Sequence, residues 1–223
     1  MAAPVGVLFD KLKIFWLTWA AYVNCGMTDN SAIFDYHRSM IAYHGNSGPA
    51  ALGWTDRENQ VIRFRVLSEM AGLDHCSVLD AGCGHGDLLG YLLTRYRDIT
   101  YTGVEQIPEF LTEARRRYGW LPPATFLEAD FIWDELPAAD YVLLSGALNY
   151  RQQDPDFIYS AISKLYAASG KGFGFNLLRR VIPNGLLAAY QPDNIRAYCQ
   201  TLGADVRLRQ DYSDEDFTVY LYR

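Results

Sequence analysis

From residue 56 onward, apolar positions alternate between a helical repeat and short continuous hydrophobic runs, which is the signature of strands and helices taken in turn. Asp56 caps a helix through VIRFRVLSEMAG, with Val61, Phe64, Val66, Leu67 and Met70 on one stripe and Gly72 at its end. Strands are predicted over residues 77–81, 100–105, 124–128, 139–145 and 171–178. Helices are predicted between them, over 87–96 with Leu88, Leu89, Leu92 and Leu93 inward, over 109–118 behind Pro108, and over 156–168. Residues 179–191, which contain Pro183 and Asn184-Gly185, read as a loop or broken helix. A helix at 193–202 follows, then strands at 205–211 and 217–222 joined by the polar turn SDED, a hairpin. The alternation predicts an α/β domain over 56–223 whose mainly parallel sheet is covered on both faces.

The pattern fails before residue 56. Residues 29–55 are rich in Tyr, His, Gly and Asn, show too little periodicity for a packed helix, and read as a lid facing the substrate. Residues 1–28 form an extension around IFWLTWAAYV, ten apolar residues where a bilayer span needs about twenty. No basic start or small-residue cleavage site makes it a secretory signal. Peripheral membrane contact through an amphipathic helix over residues 5–23 is one reading. Met27, which opens MTDNSAIFDYHRSM, as the biological start is another.

Composition narrows the partners. A net charge of -6 argues against nucleic acid, because holding a phosphate backbone needs a surplus of Lys and Arg on one face. The one basic run, Arg115-Arg116-Arg117, follows Glu109 and Glu113 on a predicted helix and reads as a solvated, ion-paired face. Cys25, Cys76, Cys83 and Cys199 have neither CxxC spacing nor disulfide-framework density, so reduced thiols in a cytoplasmic protein are expected, with no metal site.

The chemistry concentrates in VLDAGCGHGD, residues 78–87. A strand runs into Gly82-Cys83-Gly84-His85-Gly86 and then a helix, which sets backbone N–H groups and a helix start against a ligand. Glycines at 82, 84 and 86 leave Asp87 where a dinucleotide fingerprint has its third glycine. A carboxylate there repels a pyrophosphate but tolerates a zwitterion, which disfavours NAD and FAD. Glu105 ends the second strand, 23 residues after Gly82, placed to accept from two ribose hydroxyls. Asp130, after the third strand, is placed to accept from an adenine amino group between apolar walls at Ile107 and Phe131.

These segments resemble the class I, Rossmann-like methyltransferases that use S-adenosylmethionine (SAM). VLDAGCGHGD is similar to their first motif, GVEQIPEFLTEAR to the second, and FLEADF with ADYVLLSGALNY to the third and fourth. The resemblance covers about residues 56–178 and implies a three-layer α/β/α fold around a seven-stranded sheet, order 3-2-1-4-5-7-6, ending in an antiparallel hairpin. It implies SAM contacts at Asp80, Gly82, Cys83, Gly84 and Gly86, at Glu105 and Gln106 for the ribose, at Asp130 and Phe131 for the adenine, and at Ser145 beside the sulfonium. The wider pattern is similar to a bacterial subgroup. The expected activity is methyl transfer to a small-molecule acceptor by a monomer or homodimer, the acceptor atom being N, O, S or C. Methylation of a protein or RNA, and a non-catalytic SAM-binding protein, are the alternatives.

In-line transfer needs a nucleophile aligned and, for some acceptors, a proton removed. Residues 145–150 occupy the strand-four position but are not Asn/Asp-Pro-Pro-Tyr, so an amino acceptor is not implied. The candidates are Tyr43, His44 and Asn149 first, with Tyr36, His37 and Tyr150 behind them; the favoured other reading of Tyr43 and His44 is that they order the loop or hydrogen-bond the cofactor carboxylate. His37 is expected on the surface. Gln60 and Arg63, one turn apart, are candidates for the methionine carboxylate, with a structural role the even alternative.

Overall fold

The computed structural model describes residues 29–181 and 185–223; the expectations for residues 1–28 and for Pro183 and Asn184 lie outside them. Seven strands, β1 (Ser77–Ala81), β2 (Thr100–Glu105), β3 (Ala124–Glu128), β4 (Ala139–Leu144), β5 (Ser169–Leu178), β6 (Asp205–Arg209) and β7 (Asp216–Tyr222), form one sheet in the order β3-β2-β1-β4-β5-β7-β6. The pairs from β3 to β5 are parallel, and β7 runs antiparallel to both β5 and β6. This is the expected Rossmann-like order, reversed hairpin included.

The helices are α1 (Asp29–His44), α2 (Arg57–Ser68), α3 (Asp87–Leu92), α4 (Pro108–Tyr118), α5 (Phe157–Ala168) and α6 (Pro192–Thr201). Alternate strand residues feed the two faces, as a period of two requires. Leu79, Val142, Leu144, Phe173 and Phe175 pack with Ile158, Ile162 and Leu165 of α5 and Ile195 of α6. Val78, Tyr101 and Leu143 pack with Phe64 and Val66 of α2, Leu88 and Leu92 of α3, and Leu111 of α4. The helix starts follow local chemistry. Asp56 accepts from the Asn59 amide at 2.7 Å, and prolines open α4 and α6 where an amide hydrogen is dispensable.

Three expectations are corrected. Residues 29–44 form a packed helix: Ile33 and His37 are buried, Phe34 and Ile41 join a cluster with Ala51, Ile107 and Phe110, and Arg38 pairs with Glu109 of α4 at 3.1 Å. The inward stripe is completed by a histidine, so it does not read as apolar. In α2, Val61 is exposed, and the buried positions beside Phe64 are Gln60 and Arg63. The helix after the glycine loop stops at Leu92, and Leu93, at its cap, is exposed.

No described helix is long and apolar enough to cross a membrane.

Candidate active site

A cavity of about 1560 Å³ opens at the carboxyl ends of β1, β2 and β4, where the strand order reverses and α/β folds bind ligands. Single-ligand pockets span about 300–1,000 Å³, so this one has room for two molecules. Its floor is the loop after β1. Gly82 and Cys83 both donate to the Val104 carbonyl, at 2.8 and 3.0 Å, and Gly82, Gly84 and Gly86 all have positive φ. A Cβ at Gly82 would stand 2.6 Å from the Ala147 Cβ, and one at Gly84 2.8 Å from Leu52. The loop therefore needs glycine for its conformation and for its close neighbours alike.

Two buried carboxylates flank the loop. Glu105 accepts from the Gly84 amide at 2.9 Å through one oxygen and from the Ile107 amide at 2.9 Å through the other. Burial raises its pKa against the pull of these amides. Each oxygen keeps a lone pair, and Glu105 lines the cavity. Asp80 accepts from the Tyr101 hydroxyl at 2.6 Å, and its pKa is raised to about 7, chiefly by burial and further by the charges of Glu105 and Asp87. Burial likewise pushes the Cys83 thiol well up, which makes it an inert wall. Gln106, Asp130, Phe131 and Ser145 also line the cavity, with Ile107 and Ile132 beside Phe131. Asp130 Oδ1 accepts from the Ile132 amide at 2.8 Å, which orders the loop after β3. The predicted cofactor residues are thus brought to one cavity, except Gly86, which does not line it: a Cβ there would meet Tyr118 at 3.0 Å and Phe126 at 3.3 Å, so this glycine serves the packing of the loop.

The fit to SAM is chemical as well as spatial. The molecule carries a sulfonium and an ammonium, and Asp80, Asp87, Glu105 and Asp130 make this half of the cavity acidic. Its nucleoside needs apolar walls and acceptors, which Ile107, Phe131 and Glu105 provide.

The predicted acceptor residues are redistributed. Tyr43 and His44, at the end of α1, are exposed and do not line the cavity. Two turns earlier, Tyr36 and His37 do. His37, expected on the surface, is 4% exposed, and burial lowers its pKa to about 4. Its Nε2 lies 2.6 Å from the Tyr150 hydroxyl and its Nδ1 3.3 Å from the Ala51 carbonyl. Asn149 is buried with its Oδ1 accepting from the Leu178 amide at 2.9 Å, so it ties the loop after β4 to the end of β5. Arg63 takes the structural role: it binds Asp216 through Nε at 2.9 Å and Nη2 at 2.7 Å, with the Trp54 ring 4.6 Å from its guanidinium carbon. Gln60 donates to Asp87 at 3.1 Å.

His85 was not singled out by the sequence. It is fully buried, and its Nε2 lies 2.8 Å from Asn46 Oδ1, while Asn46 Nδ2 donates to the Glu109 carbonyl at 2.7 Å. The amide of Asn46 thereby joins the turn after α1 to the glycine loop and to α4. A histidine between two glycines of the loop was the available signal.

Fold and site together define a Rossmann-like α/β domain with one large, partly acidic cavity at the carboxyl ends of its strands. Residues 79–171 match the family model described as a methyltransferase domain. A Mycobacterium tuberculosis protein described as a methyltransferase is 38% identical over 110 residues, 47% of this chain and 64% of that protein. Trans-aconitate 2-methyltransferase of Acidovorax sp. (strain JS42) is 30% identical over 118 residues, 53% of this chain and 39% of the relative. The chain thus spans less than two thirds of either. Among solved structures, magnesium protoporphyrin IX methyltransferase from Synechocystis PCC 6803 with bound SAM shares the fold, with a TM-score of 0.66 at 17% identity over 90% of this chain and 99% of that one.

Proposed function

We propose that this protein transfers the methyl group of SAM to a small-molecule acceptor. The observation that carries this reading is the pairing of Glu105, bound across the Gly84 amide, with buried Asp80 in a cavity large enough for two ligands. SAM, when bound, supplies an electrophilic methyl carbon. The chain's own residues hold, orient and shield. Glu105 and Gln106 take the ribose hydroxyls, Asp130 and Phe131 the adenine, and Asp80, Gly82, Cys83 and Gly84 the amino-acid end, with Ser145 beside the sulfonium. Pre-positioning of this kind lowers the barrier by removing the need for orientation at the moment of reaction.

We assign residues 29–55 as the cover of the cavity, carried on the 56–223 domain. The acceptor side comprises Tyr36, His37, Asn149 and Tyr150, in place of Tyr43 and His44. A small acceptor is favoured over RNA because the basic run is engaged within the chain. Arg116 and Arg117 bind Glu113, Arg117 also binds Asp87 at 2.7 Å, and Arg115 donates to the Phe126 carbonyl at 2.9 Å. Buried free thiols at Cys76, Cys83 and Cys199 support a reducing, cytoplasmic setting. Titration calorimetry with SAM tests the assignment: Asp80→Ala and Glu105→Ala each weaken binding tenfold or more, and unchanged affinity in both would contradict it.

A further inference from the structure

Asp80 lines the cavity from β1, yet its partner comes from inside the sheet. The register sets Gly103 of β2 directly across from Asp80, and Tyr101 across from Val78. Gly103 has no side chain to meet the carboxyl group, and Cys83 Sγ stands 2.7 Å from where a Cβ there would lie. Tyr101, two residues earlier and so on the same face of β2, reaches past it and donates its hydroxyl to Asp80 Oδ2 at 2.6 Å. Both side chains are buried, Tyr101 completely.

A phenol this deep in a core is costly unless its hydroxyl is bonded, and phenylalanine would fill the same space without that demand. What the hydroxyl adds is found at Asp80. Burial disfavours the charge of that carboxyl group, and Glu105 at the end of β2 and Asp87 at the start of α3 disfavour it further. The cations of the neighbouring helices are engaged elsewhere. Arg117 of α4 binds Asp87 and Glu113, Arg115 of α4 binds the Phe126 carbonyl, and Arg63 of α2 binds Asp216. Cys83 in the loop is a neutral thiol, and β4 brings Leu143 alongside. Among the described residues, Tyr101 is the neighbour whose contact favours the ionised form. An O–H donor on one oxygen also fixes the plane of the carboxyl group.

We infer that Tyr101 is a positioning residue of the cofactor site: its buried hydroxyl holds Asp80 in place and in the charged form that takes the ammonium of the cofactor's amino-acid end. The inference rests on the SAM reading.

The test uses the full chain and two ligands, followed by calorimetry from about pH 5.5 to about pH 8.5. S-adenosylhomocysteine has the amino-acid end of SAM, and 5′-methylthioadenosine has the nucleoside and thioether without it. In the wild type S-adenosylhomocysteine tightens as pH rises to about 7, while 5′-methylthioadenosine stays flat. Tyr101→Phe moves the climb up by about one pH unit, the size of a hydrogen bond to a charged group. It therefore weakens S-adenosylhomocysteine roughly fivefold near neutral pH, with recovery at the alkaline end, and leaves 5′-methylthioadenosine unchanged. The carboxyl carbon resonance of Asp80, identified by its absence in Asp80→Asn, shows the same upward move of its titration midpoint in the unliganded chain. Tyr101→3-fluorotyrosine, a more acidic phenol and so a stronger donor, moves both readouts down and keeps the test open where Tyr101→Phe does not fold. A wild-type profile that is flat, or equally steep for both ligands, overturns the inference. So does a titration midpoint unmoved by the Tyr101 variants, or a loss of affinity that is the same at every pH, since Tyr101 would then only pack. Failure of both ligands to bind the wild type overturns the SAM reading instead, and the Asp80 resonance still reports whether Tyr101 governs that carboxyl group.

Discussion

Asp80 is a carboxylate with almost no water around it, and that sets a pH response. Its native pKa is raised to about 7 from the ordinary 3.8, by burial first and by its acidic neighbours second. Between those values the native state binds more protons than the unfolded chain, so this group's contribution to stability is full at low pH and is lost as pH rises through 7. His37 and His85, whose pKa values are lowered to about 4 by burial, act in the opposite sense between pH 4 and 6.5. The comparison with Asp80→Asn isolates the carboxylate. Wild-type stability minus that of Asp80→Asn, from urea unfolding, should fall by on the order of 2–4 kcal/mol between pH 4.5 and 7.5; a flat difference would contradict the assignment. A cationic ligand favours ionised Asp80, so SAM affinity should also climb with pH up to about 7, and this climb should vanish in Asp80→Asn.

At the scale of elements, two long-range ties hold the cover and the hairpin to the sheet. Arg63 of α2 meets Asp216 of β7 across 153 residues of chain, with both side chains buried. Arg63→Met leaves Asp216 without its cation and should cost about 3–5 kcal/mol in urea unfolding; a loss under 1 kcal/mol would show that water reaches the pair. The second tie is Asn46, which links α1 to His85 and to α4. Asn46→Ala should speed proteolytic cleavage of the turn after α1 while leaving the sheet's unfolding midpoint nearly unchanged. Equal cleavage rates would remove Asn46 as the tie.

Neither tie could be read in the sequence, because each joins polar residues from distant segments and no periodicity marks them. The strands and the glycine loop were legible, since each is specified by neighbours a few residues away. Residues 29–44 were misread as irregular because His37, which partners Tyr150 113 residues away, occupies an inward position. The same cause hid which pair lines the cavity: Tyr43-His44 and Tyr36-His37 are alike in composition, and only packing against Ala51, Phe110 and Tyr150 distinguishes the second pair.

Over the whole molecule, the net charge of -6 is distributed to purpose. Acidic groups gather around the loop after β1, and the guanidinium groups of Arg63, Arg116 and Arg117 are bound by carboxylates of the same chain. Ala147, which also lines the cavity, closes the space above Gly82. Calorimetric titration of the full chain with SAM asks whether VLDAGCGHGD and its acidic partners hold that cofactor. The account predicts one site per chain with a Kd well below a millimolar, weakened tenfold or more by Glu105→Ala; no heat of binding at millimolar SAM would contradict it.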